Sequence, residues 1–258
     1  MKEIVVISGK GGAGKTSVAA SLAALADEPV IADCDVDAAD LHLLFRPRMT
    51  KTHEFHSGNH AVIDSKKCVE CGMCMTVCRF EAVKTAVIES RRMSFRIDPI
   101  ACEGCGVCVR FCPHQAITFP SRRCGEWMES ETPYGPMIHA RLGVAAENSG
   151  KLVAMVRQEA NRIATERWRD LIITDGPPGI GCPVIASVSG ASQVLIVTEP
   201  TCSGEHDMER ALALVKGFGI PVAVCVNKWD LNPEITERVE RKARADGALV
   251  AGRIRYDN

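Results

Sequence analysis

Two strings of cysteines constrain the fold of this chain more than any other feature. Each string holds four cysteines, in the order Cys68, Cys71, Cys74 and Cys78, and then Cys102, Cys105, Cys108 and Cys112. Both have the spacing C-x2-C-x2-C-x3-C, which is typical of chains that bind a pair of [4Fe–4S] clusters. Three thiolates at this spacing surround one cluster, whereas the fourth ligates the other cluster. The fold must therefore bring the end of each string to the beginning of the other.

The spacing predicts two crossed ligand sets. One cluster takes Cys68, Cys71, Cys74 and Cys112, and the other takes Cys102, Cys105, Cys108 and Cys78. Zinc is an alternative for paired C-x2-C units, but a zinc site needs only four ligands and does not explain a doubled four-cysteine string. Disulfides would require an oxidising compartment. Arg79 follows the first string where Pro113 follows the second, which affects the turn more than the ligands.

The cysteine strings belong to a segment that repeats itself. The sequences KCVECGMCMTVC and ACEGCGVCVRFC lie 34 residues apart, as Cys68 and Cys102 show. We interpret residues 64–119 as an inserted, ferredoxin-like α+β domain whose clusters hold it together, because it is too short for a large core. Residues 1–63 and 120–258 then form one discontinuous domain, in which 120–148 is irregular or a hairpin.

The composition is that of an ordinary soluble protein. The chain has 258 residues, a net charge of −1, 46% hydrophobic residues and 24% charged residues. The balanced charge gives no indication of a nucleic-acid surface. No apolar run reaches the length of a membrane span or of a signal peptide. Thirteen cysteines in such a chain indicate cluster chemistry in a reducing compartment, so we expect a cytoplasmic protein without nucleic-acid or membrane partners.

Outside the insertion, short apolar runs alternate with helical stretches. Strands are predicted at 4–7, 29–32, 171–174, 193–198 and 221–226, and helices at 15–26, 150–165, 204–218 and 233–245. This alternation is typical of a doubly wound, mostly parallel α/β sheet.

A glycine-rich loop connects the first predicted strand to the first predicted helix. Gly9–Thr16 reads GKGGAGKT and fits the phosphate-binding pattern G-x4-G-K-[ST] in the context that the pattern requires. Glycines let backbone N–H groups approach phosphate oxygens, and the helix N-terminus favours the anion. The predicted ATP-binding residues of the loop are Gly11, Gly12, Ala13, Gly14, Lys15, Thr16 and Ser17. Lys15 is expected to bridge the β- and γ-phosphates, Thr16 to ligate Mg²⁺ and Ser17 to reach the α-phosphate.

A second lysine in this loop, Lys10, completes the deviant Walker A signature K-G-G-x-G-K-T. With it the chain resembles the MinD/ParA-type P-loop ATPases, which include the nitrogenase iron protein and the Mrp-type cluster carriers. The resemblance is closest to a subgroup with an inserted ferredoxin domain. It implies a homodimer in which Lys10 reaches the nucleotide of the partner subunit and takes part in catalysis. The alternative for Lys10 is a solvated loop lysine.

The resemblance extends to the segment that follows the second predicted strand. Asp33-Cys34-Asp35 is similar to switch I of the family, which implies that Asp35 positions or activates the attacking water and that Asp33 supports it. Asp37 and Asp40 are alternative candidates for the role of Asp35.

Two further stretches carry the resemblance. Ile172–Gly179 is similar to a Walker B strand followed by switch II, which implies that Asp175 holds Mg²⁺ through water. Asn227 matches the asparagine that contacts adenine in the family. A surface turn is the alternative at Asn227 and Lys228.

Five cysteines lie outside the two strings, namely Cys34, Cys124, Cys182, Cys202 and Cys225. Cys182 follows Asp175 by seven residues, a separation similar to that of a bridging-cluster cysteine in the nitrogenase iron protein. Such a cluster would need a second cysteine in each subunit, for which Cys124 and Cys202 are the candidates. The other interpretation of Cys182 is a small residue packed at the start of a helix.

The two motifs together predict a function that neither predicts alone. We expect an ATPase that binds ATP or ADP, Mg²⁺ and two [4Fe–4S] clusters, and whose nucleotide state gates electron transfer to a redox partner protein. Nucleotide-dependent reordering of the switch loops is the physical basis, because the insertion lies between switch I and Walker B. The alternatives are an iron–sulfur cluster carrier or assembly ATPase, and a localisation ATPase that uses its clusters as redox sensors.

Overall fold

The computed structural model describes residues 1–88, 92–143 and 148–257. They divide into two compact units. The first comprises Met1–Glu54, Gly125–Gly143 and the residues from 148 onward, and the second comprises Phe55–Cys124. The predicted insertion, 64–119, falls inside the second unit. Residues 144–147 of the predicted irregular or hairpin segment lie outside the described residues.

Thirteen strands and eight helices are described in these ranges. In chain order they are β1 (Lys2–Ser8), α1 (Lys15–Leu25), β2 (Val30–Asp33), α2 (Leu41–Phe45), β3 (Arg48–Asn59), β4 (Val62–Ile63), α3 (Met73–Val77), β5 (Val83–Ile88), β6 (Arg92–Ile97), α4 (Val107–Arg110), β7 (Ile117–Thr118), β8 (Ser121–Thr132), β9 (Gly135–Leu142), α5 (Ser149–Glu166), β10 (Leu171–Pro178), α6 (Cys182–Val188), β11 (Gln193–Thr198), α7 (Cys202–Lys216), β12 (Val222–Asn227), α8 (Pro233–Ala245) and β13 (Leu249–Ile254). No helix of the described ranges has both the length and the apolar character that a membrane crossing requires.

A nine-stranded sheet forms the core of the first unit. Its strand order is β13-β12-β11-β1-β10-β2-β9-β8-β3. Pairing is parallel from β13 to β9, whereas β8 is antiparallel to β9. The predicted doubly wound, mostly parallel sheet is confirmed, and the hairpin interpretation of the segment after 120 corresponds to β8 and β9. The chain passes from one unit to the other within β3 and β8.

The central strand β1 is buried on both faces. Val5, Val6 and Ile7 are wholly inaccessible to solvent, which explains why the strand reads as a continuous apolar run rather than an alternating one. Its parallel neighbours are β10 and β11. The carboxyl end of β1 leads directly into the glycine-rich loop, so the core of the sheet fixes the position of that loop.

A buried ion pair attaches helix α5 to the sheet. Arg157 donates two hydrogen bonds to the Glu3 carboxylate, from Nε to Oε1 at 2.9 Å and from Nη2 to Oε2 at 2.5 Å. Its Nη1 donates to the carbonyls of Ala186 and Ser189 at 2.9 and 2.7 Å. The Thr174 hydroxyl donates to Glu3 Oε1 at 2.8 Å. The polar atoms of both charged groups that face the interior thus have hydrogen-bond partners. A buried ion pair without such partners would destabilise the fold.

The second unit shows its duplication in the backbone. It contains two antiparallel pairs, β4 with β7 and β5 with β6, and the short helices α3 and α4. Repeat-related residues share left-handed φ angles: 62° and 61° at Glu70 and Gly104, 76° and 72° at Gly72 and Gly106, and 51° and 49° at Glu81 and Gln115. The two halves therefore follow the same course, and the predicted internal repeat is confirmed.

We expect Arg157→Ala to lower the free energy of unfolding by about 3–5 kcal/mol, because it leaves the Glu3 carboxylate buried without its partner. Arg167→Ala is the matched control, since Arg167 pairs with Glu131 at the surface, where their side chains are 42% and 33% exposed. That variant should lose about 1 kcal/mol or less. Chemical denaturation of both variants gives the comparison, and equal losses would contradict the importance of the buried pair.

Candidate functional site

The phosphate loop has the backbone conformation that its sequence predicts. Helix α1 begins at Lys15, and Gly14 precedes it with a left-handed φ of 85°. A Cβ at Gly14 would lie 2.2 Å from Asn227 Nδ2, so a larger residue would have a strained backbone and would also have to displace the Asn227 side chain. No side chain caps the helix. The N–H groups of its first turn are therefore left for an external anion such as a phosphate.

Lys15 follows β1 through the phosphate loop and lies between an acidic side chain of β10 and one that follows β2. Its Nζ is 2.6 Å from Asp175 Oδ1 and 3.5 Å from Asp35 Oδ2, and it contacts Thr16 Oγ1 at 3.3 Å. The Lys15 side chain is only 6% exposed. The ammonium that is expected to bind phosphate is thus held by carboxylates of the protein, and a nucleotide would have to replace them.

Asp175 has one carboxylate oxygen without a partner. Its Oδ2 is buried and accepts no hydrogen bond from any described residue. Burial raises the pKa of Asp175, while the nearby Lys15 opposes this shift. A buried anionic oxygen left unpaired is costly, and carboxylate and hydroxyl oxygens are the ligands that Mg²⁺ prefers. The Asp175 carboxylate beside the Thr16 hydroxyl therefore fits a magnesium ion that bridges to phosphate.

The two switch I aspartates differ in their surroundings. Asp33 is fully buried, and its carboxylate accepts hydrogen bonds from the N–H groups of Asp35 at 3.2 Å and Leu41 at 3.3 Å. Burial and then the charge of Asp175 raise the pKa of Asp33 well above its usual range. Asp35 faces Lys15, whereas the alternative candidates Asp37 and Asp40 are exposed. Of these acids, Asp35 lies beside the phosphate-loop lysine, and Asp33 accepts the N–H of Asp35. Their roles toward the attacking water stay predictions.

Sequence reasoning did not identify Glu199 as a site residue. Lys10 Nζ lies 2.7 Å from Glu199 Oε1 and 3.0 Å from Ser203 Oγ. Lys228 Nζ lies 3.7 Å from the other oxygen, Glu199 Oε2. One carboxylate thus faces two lysines that border the phosphate loop. Its position just after β11, at the carboxyl edge of the sheet where ligands bind in this fold class, is the signal that could have identified it.

Asn227 contacts the phosphate loop in this structure. Its Nδ2 donates to the carbonyl of Ala13 at 2.9 Å, and its Oδ1 accepts from the N–H of Lys228 at 3.0 Å. Lys228 in turn donates from Nζ to the carbonyl of Gly12 at 3.3 Å. The strand β12 therefore positions an amide beside the site, and its contact with adenine stays an expectation.

The eight cysteines of the strings line two cavities in the second unit. One cavity is lined by Cys68, Cys71, Cys74 and Cys112. The other is lined by Cys78, Cys102, Cys105 and Cys108. Each cavity takes three thiols from one string and the last thiol from the other string. Four cysteines per cavity are the donor set of a [4Fe–4S] cluster, so the residues fit the predicted group.

The surroundings of the thiols also suit a cluster. Phe95 and Ile117 border the first cavity, and Val83 and Ile97 border the second. The N–H of Ala116 donates to the sulfur of Cys112 at 3.3 Å. Within the described ranges, no three His, Cys, Asp or Glu side chains converge on a position for a single metal ion.

The remaining cysteines lie at separate places. Cys182 and Cys202 are exposed and begin helices α6 and α7. Cys124 is buried and its thiol donates to the carbonyl of Ser57 at 3.1 Å, while Cys34 and Cys225 are buried. Burial raises the pKa of the Cys34 thiol well above its usual range.

Comparisons with known proteins agree with both parts of the chain. Residues 61–119 match the family described as 4Fe-4S dicluster domain. The chain is 35% identical over 234 residues to the uncharacterized protein MJ0578 of Methanocaldococcus jannaschii, which covers 89% of this chain and 79% of that protein.

Solved structures share the fold. The Pyrococcus furiosus cell division ATPase MinD is similar with a TM-score of 0.52 and 17% identity over 99% of this chain and 84% of that one. A ParA family ATPase from Chlorobium tepidum TLS is similar with a TM-score of 0.51 and 17% identity over 100% and 85%.

We expect Asp175→Asn to abolish the stabilisation of the protein by Mg·ATP. The amide keeps the shape of the carboxyl group but removes the charged oxygen offered to the cation. Ligand at 100 times its Kd stabilises the wild type by ~2.7 kcal/mol, and the variant should lose most of this. Without nucleotide its stability should also fall, because the buried Lys15 ammonium loses the carboxylate that pairs with it, so the shift caused by Mg·ATP is compared within each variant.

Thermal unfolding with and without Mg·ATP, and with EDTA, measures this effect. Asp27→Asn, at an exposed position, is the control and should retain the full shift. The assignment of Asp175 to the magnesium site is wrong if its variant responds to Mg·ATP as the control does.

Proposed function

The chain belongs to the family of the Methanocaldococcus jannaschii protein MJ0578, with a MinD/ParA-type P-loop ATPase fold that carries a 4Fe–4S dicluster domain, and from this premise we propose a nucleotide-gated electron-transfer protein. It hydrolyses ATP as a homodimer, and its nucleotide state controls electron transfer from two [4Fe–4S] clusters to a partner protein. The clusters store and release single electrons when bound. The carrying observation is a backbone connection between switch I and the hairpin of β8 and β9, whose first strand leads the chain back from the second unit.

That connection lies within the nine-stranded sheet. Strand β9 follows β8, on which the chain returns from the second unit, and pairs with it as a hairpin. On its other side β9 pairs in parallel with β2, with Asp33 opposite His139. Just beyond the end of β2, the N–H of Leu142 donates to the carbonyl of Val36 at 3.1 Å. Asp33 thus lies on a strand that is hydrogen-bonded to β9, and Asp35 lies between the end of that strand and Val36. A rearrangement of switch I must move or break these bonds, which supports coupling between the nucleotide and the insertion.

Lys15 provides two alternative arrangements of the site. In this structure its ammonium pairs with Asp175 and Asp35. A bound γ-phosphate competes for the same ammonium, and it leaves these carboxylates to magnesium and to the attacking water. Loss of the γ-phosphate restores the pairing that the structure shows. Because Asp35 belongs to switch I, the change of partner at Lys15 is also a change in the contacts of switch I.

The homodimer is supported by the position of Lys10. Its side chain is 33% exposed, and its ammonium is held within its own chain by Glu199 and Ser203. In the proposed dimer Lys10 leaves Glu199 for the nucleotide of the partner subunit. The second lysine at Glu199, Lys228, keeps that carboxylate partly neutralised when Lys10 departs, which lowers the cost of the exchange.

We expect the EPR spectrum of the reduced protein to depend on nucleotide. The anaerobic, dithionite-reduced protein should contain about eight irons, with two interacting cluster signals. Mg·ATP and Mg·ADP should change these signals differently. Signals indifferent to nucleotide would point instead to a redox sensor or a passive electron carrier. Substantially less iron, or zinc in its place, would exclude the electron-transfer function altogether.

We expect Lys10→Ala to abolish ATP turnover while nucleotide still binds to each subunit, because the residue acts on the partner's site rather than its own. ATPase assays and equilibrium nucleotide binding measure the two effects. Lys216→Ala, which removes a surface lysine paired with Asp246, serves as the control with unchanged turnover. Turnover by the Lys10 variant at the control's rate would refute the role across the dimer.

A further inference from the structure

We propose that the two clusters are unequal, and that Glu103 and His114 direct an electron to the first cluster, the one held by Cys68, Cys71, Cys74 and Cys112. The second cluster, held by Cys78, Cys102, Cys105 and Cys108, has the lower reduction potential. Electrons therefore pass within the protein from the second cluster to the first. This inference rests on the proposed function, since it requires that both clusters are bound.

The internal repeat allows the two cavities to be compared wall by wall. Residues that are 34 positions apart occupy corresponding places in the linings. The pairs are Ile63 and Ile97, Gly72 and Gly106, Met73 and Val107, Ala82 and Ala116, and Val83 and Ile117. These matched pairs are apolar or small in both cavities. Any difference between the clusters must arise at the positions where the pairs differ in charge, polarity or size.

Glu103 is the charged difference. It lies between Cys102 and Cys105 on the wall of the second cavity, and Val69 is its counterpart on the wall of the first. A reduced cluster carries one more negative charge, so a neighbouring carboxylate disfavours reduction. Glu103 is exposed, and its effect is therefore screened by salt. The negative wall lowers the potential of the second cluster alone.

His114 is the polar difference. It lies on the wall of the first cavity, and Phe80 takes the corresponding place in the second. A polar ring with an N–H group stabilises added negative charge on a cluster and its sulfurs better than a phenyl ring does, and hydrogen bonding and solvent access are known to raise such potentials. Because the second cavity has Phe80 where the first has an imidazole, the potential of the second cluster is lowered relative to that of the first, as it is by Glu103.

Charged neighbours outside the linings do not produce this difference, and one of them, the Glu70 carboxylate beside Cys71, acts against it. Each cluster has one cation beside a ligand outside its lining, Lys67 before Cys68 and Arg79 after Cys78. Phe95, on the first wall, has Ala61 as its counterpart on the second. The larger ring of Phe95 excludes water from the first cluster and so lowers its potential, which opposes the proposed order of potentials. The charge at Glu103 and the imidazole at His114 must therefore outweigh this effect.

Potentiometric titration monitored by EPR, on the full anaerobic protein, tests the proposal. The wild type should show two one-electron steps with at least a tenfold preference for the first cluster, which is ~59 mV for a one-electron couple. Glu103→Gln should raise the lower step and leave the upper step in place. His114→Phe should lower the upper step. Added salt should reduce the separation in the wild type and have less effect in Glu103→Gln.

Glu70→Gln is the matched control. Glu70 lies between Cys68 and Cys71, in the equivalent loop of the first half, but is not part of the cavity wall. Its variant should move either step less than Glu103→Gln moves the lower one. Coincident steps in the wild type, or a Glu103→Gln variant that shifts the upper step, would overturn the inference with both clusters still bound. A protein that fails to bind about eight irons would instead count against the proposed function.

Discussion

The buried ammonium of Lys15 among carboxylates is the interaction on which the nucleotide site depends. Lys15, Asp175 and Asp35 come from three separate elements that meet at one edge of the sheet. Asp33 lies beside these two aspartates. The three carboxylates, in a poorly solvated place, would repel one another strongly without a cation. The single lysine reduces this repulsion but leaves Asp175 Oδ2 unpaired. The site is thus organised for further positive charge before any ligand arrives.

The parts of the fold that follow from a regular pattern were predicted correctly from the sequence. Strand β1 is apolar throughout because it is buried on both faces, and the phosphate loop has a fixed spacing because its backbone must surround an anion. Strands β8 and β9 lack such a pattern, since Glu129, Ser130 and His139 are buried polar residues that alternation of apolar residues cannot reveal. The Ser130 hydroxyl and His139 Nε2 lie 2.9 Å apart, a pairing that exists only in the folded hairpin.

The candidate site likewise has parts that a sequence pattern predicts and parts that it does not. Motif spacing indicates the loop residues, the Walker B aspartate and the grouping of the eight cysteines, because each is governed by local geometry or by the size of the bound group. Glu199 lies in the segment TEPT, Thr198–Thr201, which shares in the family resemblance, but that segment predicts no role for it. Its contact with Lys10 joins residues 189 positions apart in the chain. The order of acids in switch I also needed the structure, which brings Asp35 to Lys15 and leaves Asp37 and Asp40 exposed. Long-range pairing of charged side chains is the part that sequence patterns do not encode.

Residues with left-handed φ angles limit how far the two halves of the duplicated segment can diverge in sequence. Glu70 and Gly104 share one backbone conformation, but a Cβ at Gly104 would lie 2.2 Å from the carbonyl oxygen of Asn59. No other residue type fits at Gly104, whereas at Glu70 a side chain is tolerated. Duplication therefore produced two loops with unequal freedom to vary. Substitutions can accumulate at Glu70 and alter the surface beside the first cysteine-lined cavity, while the equivalent place beside the second cavity stays unchanged for as long as Asn59 packs against it.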